Sequence, residues 1–148
     1  VAALLQQEGF RTSRRSVGLP SPDTQVWLGD SMGEMVAYYT LADLAFIGGS
    51  LLPLGGQNLI EAAACGCPVL VGRHTFNFLQ ATEDALTAGA ARRVETPEAL
   101  IQVVEELLTN QEGLLSMRAA ANDFAQHHQG ATQRMLALIV RWTDRAGY

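Results

Sequence analysis

Brief, mostly apolar runs alternate with stretches of helical spacing along this chain. Val26-Trp27-Leu28, Leu44 to Ile47, Pro68 to Val71 and Ala90 to Val94 read as strands, and runs with little polar alternation suit a parallel sheet covered on both faces. Between them, Gly33 to Leu41, with Met35, Tyr38, Tyr39 and Ala42 near one face, Asn58 to Cys65, and Phe76 to Ala88 read as helices. Upstream, residues 1–9 look like the end of an amphipathic helix stopped by Gly9. Phe10 to Ser16 is a short strand carrying Arg11, Arg14 and Arg15, and Pro20, Pro22 and Asp23 mark a turn. Downstream, Thr96 is an N-cap followed by Pro97 at the first helical position and Glu98 in the first turn. From there the spacing predicts helix almost throughout, with a break near Gly130 and a last helix carrying Met135, Leu138, Ile139 and Trp142.

Strands and helices that alternate through short connections imply an α/β fold, a Rossmann-like parallel sheet flanked by helices and joined by right-handed crossovers. Ligands of such sheets bind beyond the carboxyl ends of the strands. Gly29 to Glu34, Gly48 to Asn58 and Gly72 to Asn77 each follow a strand, so the three are expected to converge and frame one pocket.

The second of these segments carries the most chemistry. Gly48-Gly49-Ser50, then Gly55-Gly56-Gln57-Asn58-Leu59-Ile60-Glu61, close a strand, form a glycine-rich turn and open a helix. Glycines let the backbone approach a ligand with no Cβ in the way, and helix-start amides attract an anion. Asn58 and Glu61, three positions apart, project from one helix face beside that anion site. Glu61 can accept hydrogen bonds from adjacent ribose hydroxyls, and its apolar neighbours Leu59, Ile60 and Ala62 to Ala64 predict a largely buried helix. The pattern points to an activated sugar donor. Neither the GxGxxG fingerprint nor a GxxxxGK[ST] loop is present, which disfavours nicotinamide and P-loop chemistry.

Other polar residues leave more than one reading open. Glu34 follows Gly33 at a helix start, where ligand contact and simple dipole capping are equally reasonable. Arg73, His74, Thr75 and Asn77 cluster after a strand. His74 could serve as acid, base or anion donor, or be a plain surface group. His127 and His128 are expected at the surface, and no HExxH, carboxylate cluster or DxD-like pair suggests a metal or cofactor.

Composition narrows the class further. A chain of 148 residues is the size of one domain and can bury roughly 68–70% of its unfolded surface. With 48% apolar and 17% charged residues it is neither disordered nor a coiled coil. A net charge of −5 with 10 scattered Lys and Arg argues against nucleic acid, and an acidic surface is repelled by anionic lipid. No segment reaches the roughly 18 apolar residues of a membrane span, so the piece reads as soluble. Cys65 and Cys67, one glycine apart, fit neither a CxxC redox pair nor a zinc site and read as reduced thiols of a cytosolic protein. The opening on Val1-Ala2-Ala3-Leu4-Leu5, already in helical pattern, suggests a piece of something longer.

Gly33-Glu34-Met35, Phe46 to Leu51, Gly55 to Glu61, Gly66-Cys67-Pro68-Val69-Leu70 and Gly72 to Phe78 together resemble one family, the 3-deoxy-D-manno-octulosonic acid (Kdo) transferases of lipopolysaccharide biosynthesis. The likeness runs from about Asp30 to Leu108 and is to the C-terminal, donor-binding half. It implies that residues 1–148 are a single nucleotide-sugar-binding domain, a fragment of a two-domain GT-B glycosyltransferase that passes Kdo from CMP-Kdo to a lipid A precursor at the cytoplasmic face of the bacterial inner membrane, without a metal or cofactor. Gly33, Glu34 and Met35 would touch the nucleotide. Gly48, Gly49, Ser50, Gly55, Gly56, Gln57 and Asn58 would line the phosphate and sugar region, and Glu61 would hold donor hydroxyls.

The resemblance places the membrane anchor, acceptor site and catalytic base in an N-terminal half absent here, so the isolated chain is expected to bind CMP or CMP-Kdo weakly and to turn over nothing. Gln57 stands where the family usually has histidine, and Ala62 where it has proline. Glutamine keeps a binding role but cannot carry a proton. Two other readings fit the residues: the donor domain of another GT-B transferase or epimerase using a UDP-sugar, and a noncatalytic module that binds a nucleotide, or a partner through the stripe of Met135, Leu138, Ile139 and Trp142.

Overall fold

The computed structural model describes residues 1–128 and 139–142. The chain divides into two compact units, residues 1–35 and 36–148, and its strands form two sheets instead of the one expected.

The first unit holds α1 (Ala2–Gln7), β1 (Thr12–Arg14) and β2 (Val26–Leu28). The two strands pair in parallel, Thr12 opposite Val26 and Arg14 opposite Leu28. None of its residues is buried, so polar ties do much of the ordering. Arg11 Nε donates to the Asp23 carbonyl at 2.8 Å, and Asp30 accepts from the Ser16 amide at 2.8 Å and the Ser16 hydroxyl at 2.7 Å while pairing with Arg14 at 2.6 Å.

Those donors, the Ser16 hydroxyl first, then its amide and Arg14, hold the Asp30 carboxyl down at about 2, below its ordinary 3.8. A carboxylate more acidic folded than unfolded gives its stabilisation in full above the ordinary value and loses it as pH falls toward the folded one. The β1–β2 pairing is therefore expected to loosen between about pH 4 and pH 2, and Asp30→Asn to flatten that dependence. Amide exchange of residues 12–16 across this range checks it; an unchanged acid slope in the variant would refute the assignment.

α2 (Met35–Leu41) begins on the last residue of the first unit. The second unit continues through β3 (Ala45–Phe46), α3 (Ile60–Ala64), β4 (Val69–Val71), a 3-10 turn at Phe76–Phe78, α4 (Leu79–Thr87), β5 (Ala91–Arg93), α5 (Pro97–Thr109) and α6 (Gln111–His128). Its sheet runs β3-β4-β5, all parallel, with Ala45 beside Val69 and Val69 beside Ala91.

β4 explains the layering. All three of its residues are fully buried, and the strand period sends Val69 and Val71 to one face and Leu70 to the other. On the first face Val69 and Val71 meet Ile47, Leu59, Ala62 and Ala63 of the β3–α3 region, Ala85 of α4, and Ala121, Phe124 and Ala125 of α6. On the second, Leu70 meets Leu107 of α5 and Leu114 and Met117 of α6. α6 thus serves both cores, and Arg118 on it donates to the Ala42 and Asp43 carbonyls at 3.1 and 3.2 Å and pairs with the Asp43 carboxylate at 3.1 Å.

The helix limits differ from expectation for local reasons. α3 starts at Ile60 because the Asn58 side chain accepts from the Ile60 amide at 3.0 Å, an Asx turn that replaces the first helical turn. Thr96 caps α5 as expected, accepting from the Ala99 amide at 3.2 Å. The break between α5 and α6 at Asn110 was not anticipated; its side chain accepts from the Gly113 amide at 3.0 Å and so opens the next helix. Gly130, Met135 and Leu138 lie outside the described residues, while Ile139 and Trp142 lie in a helical stretch at 139–142 and are exposed.

Candidate functional site

Two loops at the carboxyl ends of β3 and β4 grip each other. The first leaves β3 through Ile47 and Gly48, and its wholly buried Ser50 is the hub. The Ser50 hydroxyl donates to the Ile47 carbonyl and accepts from the Gly72 amide at 2.8 Å, while the Ser50 carbonyl accepts from the His74 amide at 2.8 Å. Such closeness excludes a side chain at 72: a Cβ there would overlap the Ser50 carbonyl group and the Leu51 nitrogen.

The loop closes on itself where the Gly56 amide donates to the Gly49 carbonyl at 3.2 Å. Asn77 of the second loop then fastens its far end. Its backbone amide donates to the Gly55 carbonyl at 3.1 Å, and its Nδ2 donates to the Leu54 and Gly56 carbonyls at 3.2 and 3.3 Å. Gly55, at φ 90°, leaves the room this needs, since a Cβ there would stand 2.5 Å from Asn77 Cγ and 2.6 Å from a Phe76 ring carbon.

Beyond the glycines, Asn58 bridges loop and helix: besides holding the Ile60 amide it donates from Nδ2 to Glu61 Oε1 at 3.0 Å. Glu61 itself is exposed, although Ala62 and Ala63 beside it are fully buried, because only one side of this five-residue helix faces the core. The expectation that burial would force a function on Glu61 is thereby corrected; what marks it is its place beside the loop. Tyr39, packed against the first core, has its hydroxyl raised above the ordinary value by burial and then by the Glu61 carboxylate.

Gln57 is exposed and Asn58 half-buried, while a Cβ at exposed Gly48 would meet nothing within 4 Å. Arg73 is exposed and its Nε donates to His74 Nε2 at 3.1 Å. Thr75 is buried. His127 is exposed as expected, its Nδ1 2.7 Å from the Asp123 carbonyl.

Gly33, Glu34 and Met35 belong to the first unit. Gly33 and Met35 are exposed, and Glu34 accepts from Arg15 at 2.7 Å and from the Ser31 hydroxyl. The Ser31 hydroxyl first and Arg15 next hold its carboxyl below the usual glutamate range, so Glu34 is neither a bare cap nor an unpaired acid. Sequence reasoning missed Arg15 as its partner because ion pairs between segments 19 positions apart leave no periodic trace. It likewise passed over Asn77 as a fastener, though an asparagine beside a glycine-facing turn is a usable hint.

Cys67 is buried, its thiol pushed up to about 11 mainly by that burial, and Cys65 is half-buried; both are free thiols. Among the described residues no group of His, Cys, Asp and Glu could hold a metal ion, and no helix is long and apolar enough to cross a membrane.

A helix-flanked parallel α/β architecture with glycine-rich loops at its strand ends is that of the C-terminal domain of a GT-B glycosyltransferase. The family described as glycosyl transferases group 1 matches residues 10–126, and the chain belongs to it. Within that class the likeness is to particular enzymes. The 3-deoxy-D-manno-octulosonic acid transferase of Bordetella pertussis is 46% identical over 143 residues, covering 95% of this chain and 33% of that protein. That of Haemophilus influenzae is 40% identical over 147 residues, covering 98% and 34%. The chain thus spans about a third of the length of these relatives. Among solved structures, the C-terminal CMP-Kdo binding domain of WaaA from Acinetobacter baumannii superposes with a TM-score of 0.80 at 31% identity, covering 84% of this chain and 66% of that one.

Proposed function

We propose that residues 1–148 are the CMP-Kdo-binding domain of a two-domain glycosyltransferase that transfers Kdo to a lipid A precursor in lipopolysaccharide biosynthesis. The carrying observation is the interlocked pair of loops at the strand ends, with Glu61 and Asn58 beside them. The likeness to the Acinetobacter CMP-Kdo binding domain and to the Bordetella and Haemophilus transferases supports the choice of donor.

In this reading Gly48, Gly49, Gln57 and Asn58 meet the phosphate and sugar, with backbone amides and neutral donors answering the charges of the phosphodiester and the Kdo carboxylate, while buried Gly56, its amide given to the Gly49 carbonyl, shapes the loop that receives them. Ser50 and Gly55 contribute through the backbone, since Ser50 spends its hydroxyl inside the protein and Gly55 lies against Asn77. Asn58 orients Glu61 through Oε1 and leaves Oε2 for donor hydroxyls. Gly33, Glu34 and Met35 are assigned to the nucleotide, with Arg15 fixing the Glu34 carboxylate. Acceptor binding, the base and contact with the cytoplasmic face of the inner membrane are assigned to the other domain, so this chain alone holds donor without turnover.

Calorimetric titration of the chain with CMP, and with UDP in parallel, tests the reading. Weak binding of CMP in preference to UDP is expected, and Glu61→Ala should weaken it about tenfold, the share of one charged hydrogen bond. Equal binding of UDP would overturn the cytidine assignment in favour of a UDP-sugar enzyme. Unchanged affinity in the variant would remove Glu61 from the site.

A further inference from the structure

The loop that meets the ligand in the donor reading is held from the β4 side by hydrogen bonds of Asn77. Its Nδ2 bonds the carbonyls of Leu54 and Gly56, the residues flanking Gly55, while its backbone amide takes the carbonyl of Gly55 itself. Three successive carbonyls are thus turned toward one asparagine. Trans peptide planes that present the Leu54, Gly55 and Gly56 oxygens to Asn77 direct the N–H groups of Gly55, Gly56 and Gln57 away from it. The Gly56 amide is used in closing the loop onto Gly49 and the Leu54 amide donates to the Leu52 carbonyl at 2.7 Å, so the amides of Gly55 and Gln57 are the ones turned outward for a ligand.

The fit is mutual. Gly55 provides the space Asn77 fills, and Asn77 is itself exposed, so it holds the loop from outside the core. Without the side-chain amide, the Leu54 and Gly56 carbonyls lose their shared donor, and the loop keeps only its main-chain ties, Gly56 to Gly49, Leu54 to Leu52 and the Asn77 amide to Gly55, above the Ser50 base.

We propose that Asn77 is a positioning residue for donor binding: without touching the donor, it fixes the 54–56 backbone in the conformation that receives the anion. This rests on the donor reading above. Asparagine suits the task where aspartate does not, because the task needs a two-proton donor facing two carbonyl oxygens, and a carboxylate there would oppose them with like charge.

Two variants test it. Asn77→Ala removes the amide, and Asn77→Asp keeps its size and the backbone bond while replacing the donor with a charged acceptor, so it guards against a folding failure in the first; its added charge also repels an anion directly, so the affinity arm is read from Asn77→Ala and the exchange arm from both. Both are expected to speed amide exchange at residues 49–57 relative to β4 and β5, with the unfolding midpoint little changed, and Asn77→Ala to weaken CMP binding about tenfold. Faster loop exchange with unaltered CMP affinity would overturn the proposal and leave the donor reading intact. Unaltered exchange in both variants would overturn it as well. A parent chain that binds no CMP, with loop exchange still responding to Asn77, would mean that the donor assignment has failed, and the positioning role with it, while the strap itself stands.

Discussion

Gly72→Ala is expected to lower the stability of the second unit by about 3 kcal/mol, the upper part of the range for inserting a methyl group where nothing can yield. The residues around most glycines can shift; here the added carbon would land on the Ser50 carbonyl group and the Leu51 nitrogen, which are main chain held by the hydrogen bonds of Ser50. The backbone at 72 is not left-handed, so the effect is steric and is opposed only by the small entropic gain of replacing glycine. For a domain of this size the melting midpoint should fall by about 6–12 °C. Gly48→Ala supplies the comparison: it too is outside the left-handed region, and its Cβ would enter open space, so its midpoint should stay near the parent's. Equal midpoints for the two variants would contradict the close approach of the two loops.

Ser50→Ala is the second large effect, expected at about 2–3 kcal/mol. Deleting the hydroxyl leaves the Gly72 amide without its acceptor and the Ile47 carbonyl without its donor, both at a residue with no exposed surface, and a buried polar group stripped of its partner costs about 1–3 kcal/mol. Ser50→Cys, similar in shape but a weak donor and acceptor, should recover only part of the loss. Urea unfolding followed by circular dichroism reads both. A midpoint within experimental scatter of the parent would mean that the hydroxyl does not join the loops.

Much of the α/β order was legible from the chain because it rests on local pattern. Val69-Leu70-Val71 announces a strand buried on both faces, and Thr96-Pro97-Glu98 announces a helix start; both signals act within a few residues. Asn110 escaped notice because a polar residue inside a long helical pattern looks like a solvent-facing position until its side chain is seen holding the Gly113 amide. The split into two sheets was also hidden, since nothing local to Val26-Trp27-Leu28 distinguishes pairing with Thr12-Ser13-Arg14 from pairing with Ala45-Phe46.

The glycine-rich segment itself was readable, but the reason for individual glycines was not. Gly55 reads as an opening for a ligand, whereas the space it leaves is taken by Asn77 and Phe76, 21 or more positions onward. Steric exclusion between two loops depends on where the sheet brings them, and no spacing rule encodes that. The place of Glu61 after the glycines is legible from spacing, whereas its exposure is not, because the alanines that suggest a buried helix lie on one side of it.

The bond from Arg118 to the Ala42 carbonyl joins groups 76 positions apart. During synthesis, therefore, the start of β3 leaves the ribosome long before its anchor does, and the nascent strand must wait, its apolar side chains unroofed, until α6 emerges. A chain stalled or cleaved ahead of Leu114 would carry the sheet with neither core closed, which makes α6 the element by which quality control can tell a closed sheet from an open one.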